Sequence, residues 1–239
     1  MKCLVWSIFA ILFSTWAHAH VPPTGPAYAK EFFAKFDELL RQRQIEGKLP
    51  SLEDPTDRDL LRKIWDGEAL IGSPPYDASD LETLPFVMDR SGSLLILYGQ
   101  ASPLLLQDEA TQSFVLVIRA AAASQPAFND FLAHQANAAE MLRANGAKAR
   151  GGVEKMFRGA SIFLADPVLK ERNKIVLIES LRAGGPYLAE SVSPGHRQAL
   201  IDLFVPSVGQ LPVPAQESLK IFIQKIKAAG CNLLCADGM

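Results

Sequence analysis

Asp108-Glu-Ala-Thr-Gln-Ser-Phe-Val-Leu-Val-Ile-Arg-Ala-Ala-Ala-Ala123 is the stretch on which the fold class turns. Its centre, Phe114 to Ile118, is a run of five apolar residues, and periodicity alone fits a buried strand as well as a helix. The flanks separate the two. Asp108 and Glu109 are acids in the position that a helix's first turn favours, and Ala120 to Ala123 prolong the segment with the strongest helix former. The run is therefore read as helical. Leu94-Leu-Ile-Leu-Tyr98 poses the same question and is read the same way. No alternating strand patterns joined by tight hairpin turns remain, so the chain is predicted to be all-α.

Helix punctuation recurs outward from this stretch. Pro26 opens a helix in which Tyr28, Phe32, Phe33, Phe36, Leu39 and Leu40 repeat at three- and four-residue spacing, and Gly47 closes it. Asp54 and Pro55 predict a second helix by N-cap and first-position proline, with Leu61, Ile64 and Trp65 as its buried stripe. Ser79-Asp-Leu-Glu82 fits a capping box for a third, interrupted by Pro85 and Ser91-Gly-Ser93. Pro126 is read as a helix start and Asn145-Gly146 as its end, leaving Asn145 to Gly152 as a basic, glycine-rich loop before Val153 to Leu164. Asp166-Pro167 and Ser193-Pro194 open two more helices, Gly184-Gly-Pro186 ends the first of these, and Val205 to Pro214 reads as a connection. A last helix carries Leu219, Phe222, Ile223 and Ile226. With no fixed-period repeat and no low-complexity linker, this amounts to one compact domain of about eight helices.

The amino terminus reads differently. Lys2, the low-polarity run Cys3 to Trp16 and the small residues of Ala17-His-Ala19 are laid out as a cleavable signal peptide, residues 1–19. The run is shorter than the ~20 apolar residues that span a bilayer. Removal would leave 220 of the 239 residues, 20–239, beginning with a proline-rich leader at 20–26, and would move the net charge from −2 to −3. The expected location is periplasmic or secreted. Nothing after the signal is apolar for long enough to cross a membrane, and so balanced a charge gives no sign of nucleic-acid binding. In an exported chain, Cys231 and Cys235 are expected to form a disulfide that pins the C-terminal end. A metal or redox pair is the rival reading.

Chemistry is sparsely marked. There is no GxSxG, HExxH, Walker or GxGxxG motif, and no cofactor is expected. His134 and His196 are read as ordinary solvated or core-edge histidines. His20 would become the new terminus after cleavage, where its imidazole and the α-amine suit Cu(II) if a second histidine joins them. The basic loop at 145–152 is a candidate for holding an anion. Charge is the most usable hint: residues 53–89 carry ten acids against Arg58, Arg62 and Lys63, and 143–158 carry five bases against Glu154. Such runs serve as helix caps and solvated faces, or as a surface that steers a cationic partner. On the second view Asp57, Asp59, Asp66 and Glu68 form the binding surface. The function expected from these features is an exported helical protein-binding or inhibitory protein, of the kind that neutralises a secreted toxin as an immunity protein. The alternatives are a periplasmic enzyme with dispersed acid and base residues, and a copper-binding protein using His20.

Overall fold

Phe114 to Ile118 lies inside a helix of 27 residues, Gln107–Ala133, and Leu94 to Tyr98 lies inside another, Leu84–Ala101. The computed structural model of the chain describes residues 26–101 and 105–236, and among these there is no strand. The signal peptide, the leader and His20 fall outside the described residues. The elements run α1 (Pro26–Ile45), α2 (Pro55–Ile64), α3 (Gly67–Ile71), a 3-10 turn (Ala78–Glu82), α4 (Leu84–Ala101), α5 (Gln107–Ala133), α6 (Ala138–Ala165), α7 (Glu171–Ala189), α8 (Pro194–Val208), α9 (Val213–Ala228) and α10 (Leu233–Ala236). The protein is all-helical, with ten α-helices among the described residues rather than about eight.

α5, about 40 Å long at 1.5 Å per residue, is buried along most of its length and sits between two hydrophobic cores. Leu116, Ala120, Ala123, Ala127 and Leu132 face the first core, with α1 to α4. Phe114, Ile118, Ala121 and Ala122 face the second, with α7, α8 and α9. α6 joins both, Met141 and Leu142 to the first and Val153, Phe157 and Leu164 to the second. Phe157, Phe204 and Phe222 fill the centre of the second core with ring centroids 5.1–6.2 Å apart.

Several expected helix ends are helix interiors. α5 passes through Pro126, because burying Ala127, Phe128 and Leu132 beyond it offsets the one backbone bond that proline removes. α6 passes through Asn145 to Gly152, so the glycine-rich loop does not exist and no loop amides are free there to hold an anion. α7 continues through Gly184-Gly-Pro186 for a reason of shape. A Cβ on Gly184 would stand 2.9 Å from the Ala122 Cβ, and one on Gly185 only 2.3 Å from Phe222 Cε2. These glycines let α7 approach α5 and α9 instead of ending the helix. α4 likewise runs on through Ser91-Gly-Ser93, the Ser91 hydroxyl donating back to the Val87 carbonyl. α8 extends to Val208 past Pro206, shortening the expected 205–214 connection.

Local cap signals hold in part: Asp166-Pro167 lies in the turn after α6, and α7 begins only at Glu171. Asp54 caps α2 by accepting from the Thr56 amide, with Pro55 at the first helical position. The capping box near residue 80 is shifted: it joins Asp77 and Asp80 and serves the 3-10 turn, not a helix begun at Ser79. At the other end Cys231 and Cys235 are disulfide-bonded, as expected from their pairing.

Candidate functional site

Two carboxylates and two arginines fix the segment from Pro50 to Asp54, and with it the wall of a cleft. The Glu109 carboxylate, buried on α5, accepts from the Leu52 amide at 2.7 Å and the Ser51 hydroxyl at 2.9 Å. Asp57 accepts from the Ser51 amide at 3.2 Å and from the Arg43 guanidinium, whose Nη2 lies 2.6 Å away. Arg43 also reaches Asp54 and Glu46, and the hydrogen bond to Asp57, then that to Glu46, raises its guanidinium above the usual arginine range. Arg58 Nε donates to the Leu52 carbonyl at 2.8 Å. A buried charge is tolerated only when paired and hydrogen-bonded, and here the pairing sets the position of a loop.

The cleft, about 430 Å³, opens between that segment, α2, α5 and the start of α7. Arg58, Arg62 and Arg172 line it, with Glu53 and Asp108 as its acids and Leu52, Trp65 and Val176 as its apolar surface. The three arginines are not equivalent. Arg172 and Lys170 both pair with Asp108. Burial alone would raise the Asp108 carboxyl, but hydrogen bonds from Arg172 and Lys170 outweigh it and hold the group below the ordinary carboxylate range. Arg58 is partly engaged with the 52–53 carbonyls. Arg62 is exposed and has no ion pair or hydrogen bond among the described residues. Trp65 is anchored by its indole N–H, which donates to the Ser113 hydroxyl at 3.1 Å. The arrangement can receive an anionic group on Arg62 and Arg58 while an apolar part lies on Trp65 and Val176.

The acids singled out in the sequence divide. Asp57, 1% exposed, is withdrawn from the surface by Arg43 and Ser51, which corrects its place in an open acidic patch. Asp59, Asp66 and Glu68 are exposed, and Asp66 also caps α3 through the Ala69 amide. Of the ten acids in residues 53–89, Asp54, Asp66, Asp77 and Asp80 are engaged at helix or turn ends, so part of that charge is local architecture. His134 has an acid one turn back: Asp130 Oδ1 lies 3.7 Å from its Nδ1, an exposed pair at the end of α5. His196, in the first turn of α8, meets the Ser193 hydroxyl at 3.1 Å. No group of three or more potential metal ligands occurs among the described residues, and no helix among them is long and apolar enough to cross a membrane.

The cleft itself has no signature in the sequence. Arg58 and Arg62 stand out there only as counter-charges, and Arg172 not at all, because a site assembled from residues more than a hundred positions apart leaves no local spacing. One signal is present: an acid as close to an apolar run as Glu109 is to Phe114 invites the question of what satisfies it. Compared with protein families, curated proteins and solved structures, the chain shows no match.

Proposed function

We propose that this chain is a binding protein whose site is the arginine-lined cleft, and that its ligand joins a carboxylate or phosphate to an apolar body. The observation that carries this reading is the uncommitted Arg62 beside Arg58 and Trp65 in a concavity of about 430 Å³, a volume within the range of small-molecule sites. A guanidinium offers forked donors that match carboxylate and phosphate oxygens, and it stays charged at any working pH. Trp65 is the only tryptophan beyond residue 16, so in a W6F/W16F chain its emission reports on the cleft. Titration with phenyl phosphate or benzoate is expected to change that emission saturably, and uncharged benzyl alcohol to do so only weakly. R62Q should weaken the charged ligands by about tenfold, the scale of one hydrogen bond to a charged group. The absence of a saturable response to every anion at millimolar concentration would remove the cleft from consideration.

A second reading, an exported inhibitory or immunity-type protein, keeps one specific support. Asp59 on α2, Asp66 at the cap of α3 and Glu68 on α3 stand exposed, next in sequence to the cleft's Arg58, Arg62 and Trp65. Exposed acids steer a cationic partner and make its capture salt-dependent. The variant D59K/D66K/E68K, which leaves the buried Asp57 in place, should capture less of a periplasmic partner and lose that salt dependence. Equal capture at low salt would exclude the patch. An enzyme with dispersed acid and base groups would turn on Glu53, the cleft acid that has no ion pair among the described residues. The copper proposal rests on His20, and copper titration with d–d absorbance as the readout decides it.

A further inference from the structure

We propose that Cys231 and Cys235 are a redox-active pair that exchanges with an external dithiol, with Arg197 supplying the charge that holds the reduced form. Arg197, on α8, is 4% exposed. Its guanidinium has no ion pair among the described residues. Its acceptors are neutral: Nε donates to the Val192 carbonyl at 2.7 Å, Nη1 to the Ala229 carbonyl and Nη2 to the Gly230 carbonyl at 2.5 Å. Nη2 also lies 3.3 Å from Cys231 Sγ and 3.8 Å from Cys235 Sγ. A buried cation with only neutral acceptors is poorly compensated, and burial pushes this guanidinium down while Glu190 pulls it the other way. The two sulfurs are the atoms beside it that acquire negative charge when the bond is reduced. A neighbouring arginine lowers a thiol's pKa, and a lower pKa makes the reduced form more stable.

Access is arranged in the same sense. Cys231 is exposed and Cys235 is fully buried beneath it. A thiolate of the dithiol attacks Cys231 Sγ, the Cys231–Cys235 bond breaks, and Cys235 leaves as a thiolate facing Arg197. The second thiol of the reductant loses its proton to solvent, attacks the mixed disulfide and closes a cyclic disulfide as Cys231 leaves as a thiolate. Two electrons pass from the dithiol to the protein. The charged groups that face the pair are Arg197 from α8, Glu190 beyond the end of α7, whose carbonyl accepts from the Asn232 amide at 2.9 Å, and Arg150 from α6, which donates to the Leu234 carbonyl at 2.9 Å. A disulfide that serves only to pin the chain end needs neither an exposed cysteine nor a buried cation against it.

The test uses the full chain carrying C3S, reduced with dithiothreitol, desalted and alkylated with iodoacetamide from pH 5 to 9, with mass spectrometry to locate the label. Cys231 is expected to label first, with a midpoint at least one pH unit below the ordinary thiol value of about 8.5. R197M should return the midpoint toward that value and favour the disulfide by about tenfold in dithiothreitol redox buffers. R197K should retain most of the shift, and E190Q should lower the midpoint further by removing a competing charge. A reduced parent chain with an ordinary midpoint would overturn the proposal, whether or not R197M folds. A shift that R197M and E190Q both leave unchanged would also overturn it.

Discussion

Arg43 brings its guanidinium to Glu46, Asp54 and Asp57, and of these three only Asp57 is buried. Removing that carboxylate leaves Arg43 and the Ser51 amide without their shared acceptor, and breaking a buried pair from one side typically costs about 3 kcal/mol. D57A should therefore lower the urea midpoint strongly, whereas D59N on the exposed side should stay within roughly 0.5 kcal/mol of the parent. Asp108 gives a prediction in pH. Its folded carboxyl titrates below the unfolded value of about 3.9, so the folded state binds fewer protons than the unfolded chain. Its contribution is complete above that unfolded value and disappears as pH falls through the lower folded one. Urea midpoints measured from pH 6 to pH 2 should fall less steeply for D108N than for the parent. Neither residue's role is legible locally. Asp57 resembles any first-turn acid until Arg43, fourteen positions earlier, is seen beside it, and Asp108 does sit in a first turn as expected but pairs with Lys170 and Arg172.

At the scale of elements, glycine separates two kinds of helix interior. Gly185 faces Phe222 with no room for a methyl group, and overpacking of this sort costs about 1–3 kcal/mol. G185A should be destabilised by that amount, and combining it with F222L should cost less than the two single changes together. Gly151 and Gly152 have open space where a methyl group would stand, with no neighbouring atom within 4 Å, so alanine there should stabilise α6 by up to about 1 kcal/mol. A loss instead would restore the loop that the sequence suggested. The helices legible in the sequence are those whose signals lie at their own ends: α1 with its aromatic stripe, α2 with Asp54 and Pro55, and α8 with Ser193 and Pro194. Those missed are long helices that cross Pro126, Asn145-Gly146 and Gly184-Gly-Pro186. Each breaker is unfavourable by ~1–3 kcal/mol locally, and burial of apolar side chains further along the same helix outweighs it. That burial depends on residues distant in sequence, which no window of ten or fifteen residues contains.

At the scale of the molecule, the two cores share one wall. Residues of α5 alternate between them, so neither core is complete if that helix is lost. Replacing the fully buried Ile118 by alanine removes packing on the second side only, at a cost of roughly 3 kcal/mol. In the W6F/W16F chain, Trp65 emission follows the first core, and far-ultraviolet circular dichroism follows every helix. The two urea curves should coincide for the parent and move together in I118A. A separate early transition in either curve would mean that the cores unfold independently. The shared helix also has a consequence for amide hydrogen exchange. No partial opening can expose its backbone while leaving either core intact, so amides from Leu116 to Ala123 should exchange only by global unfolding and mark the upper limit of protection along the chain.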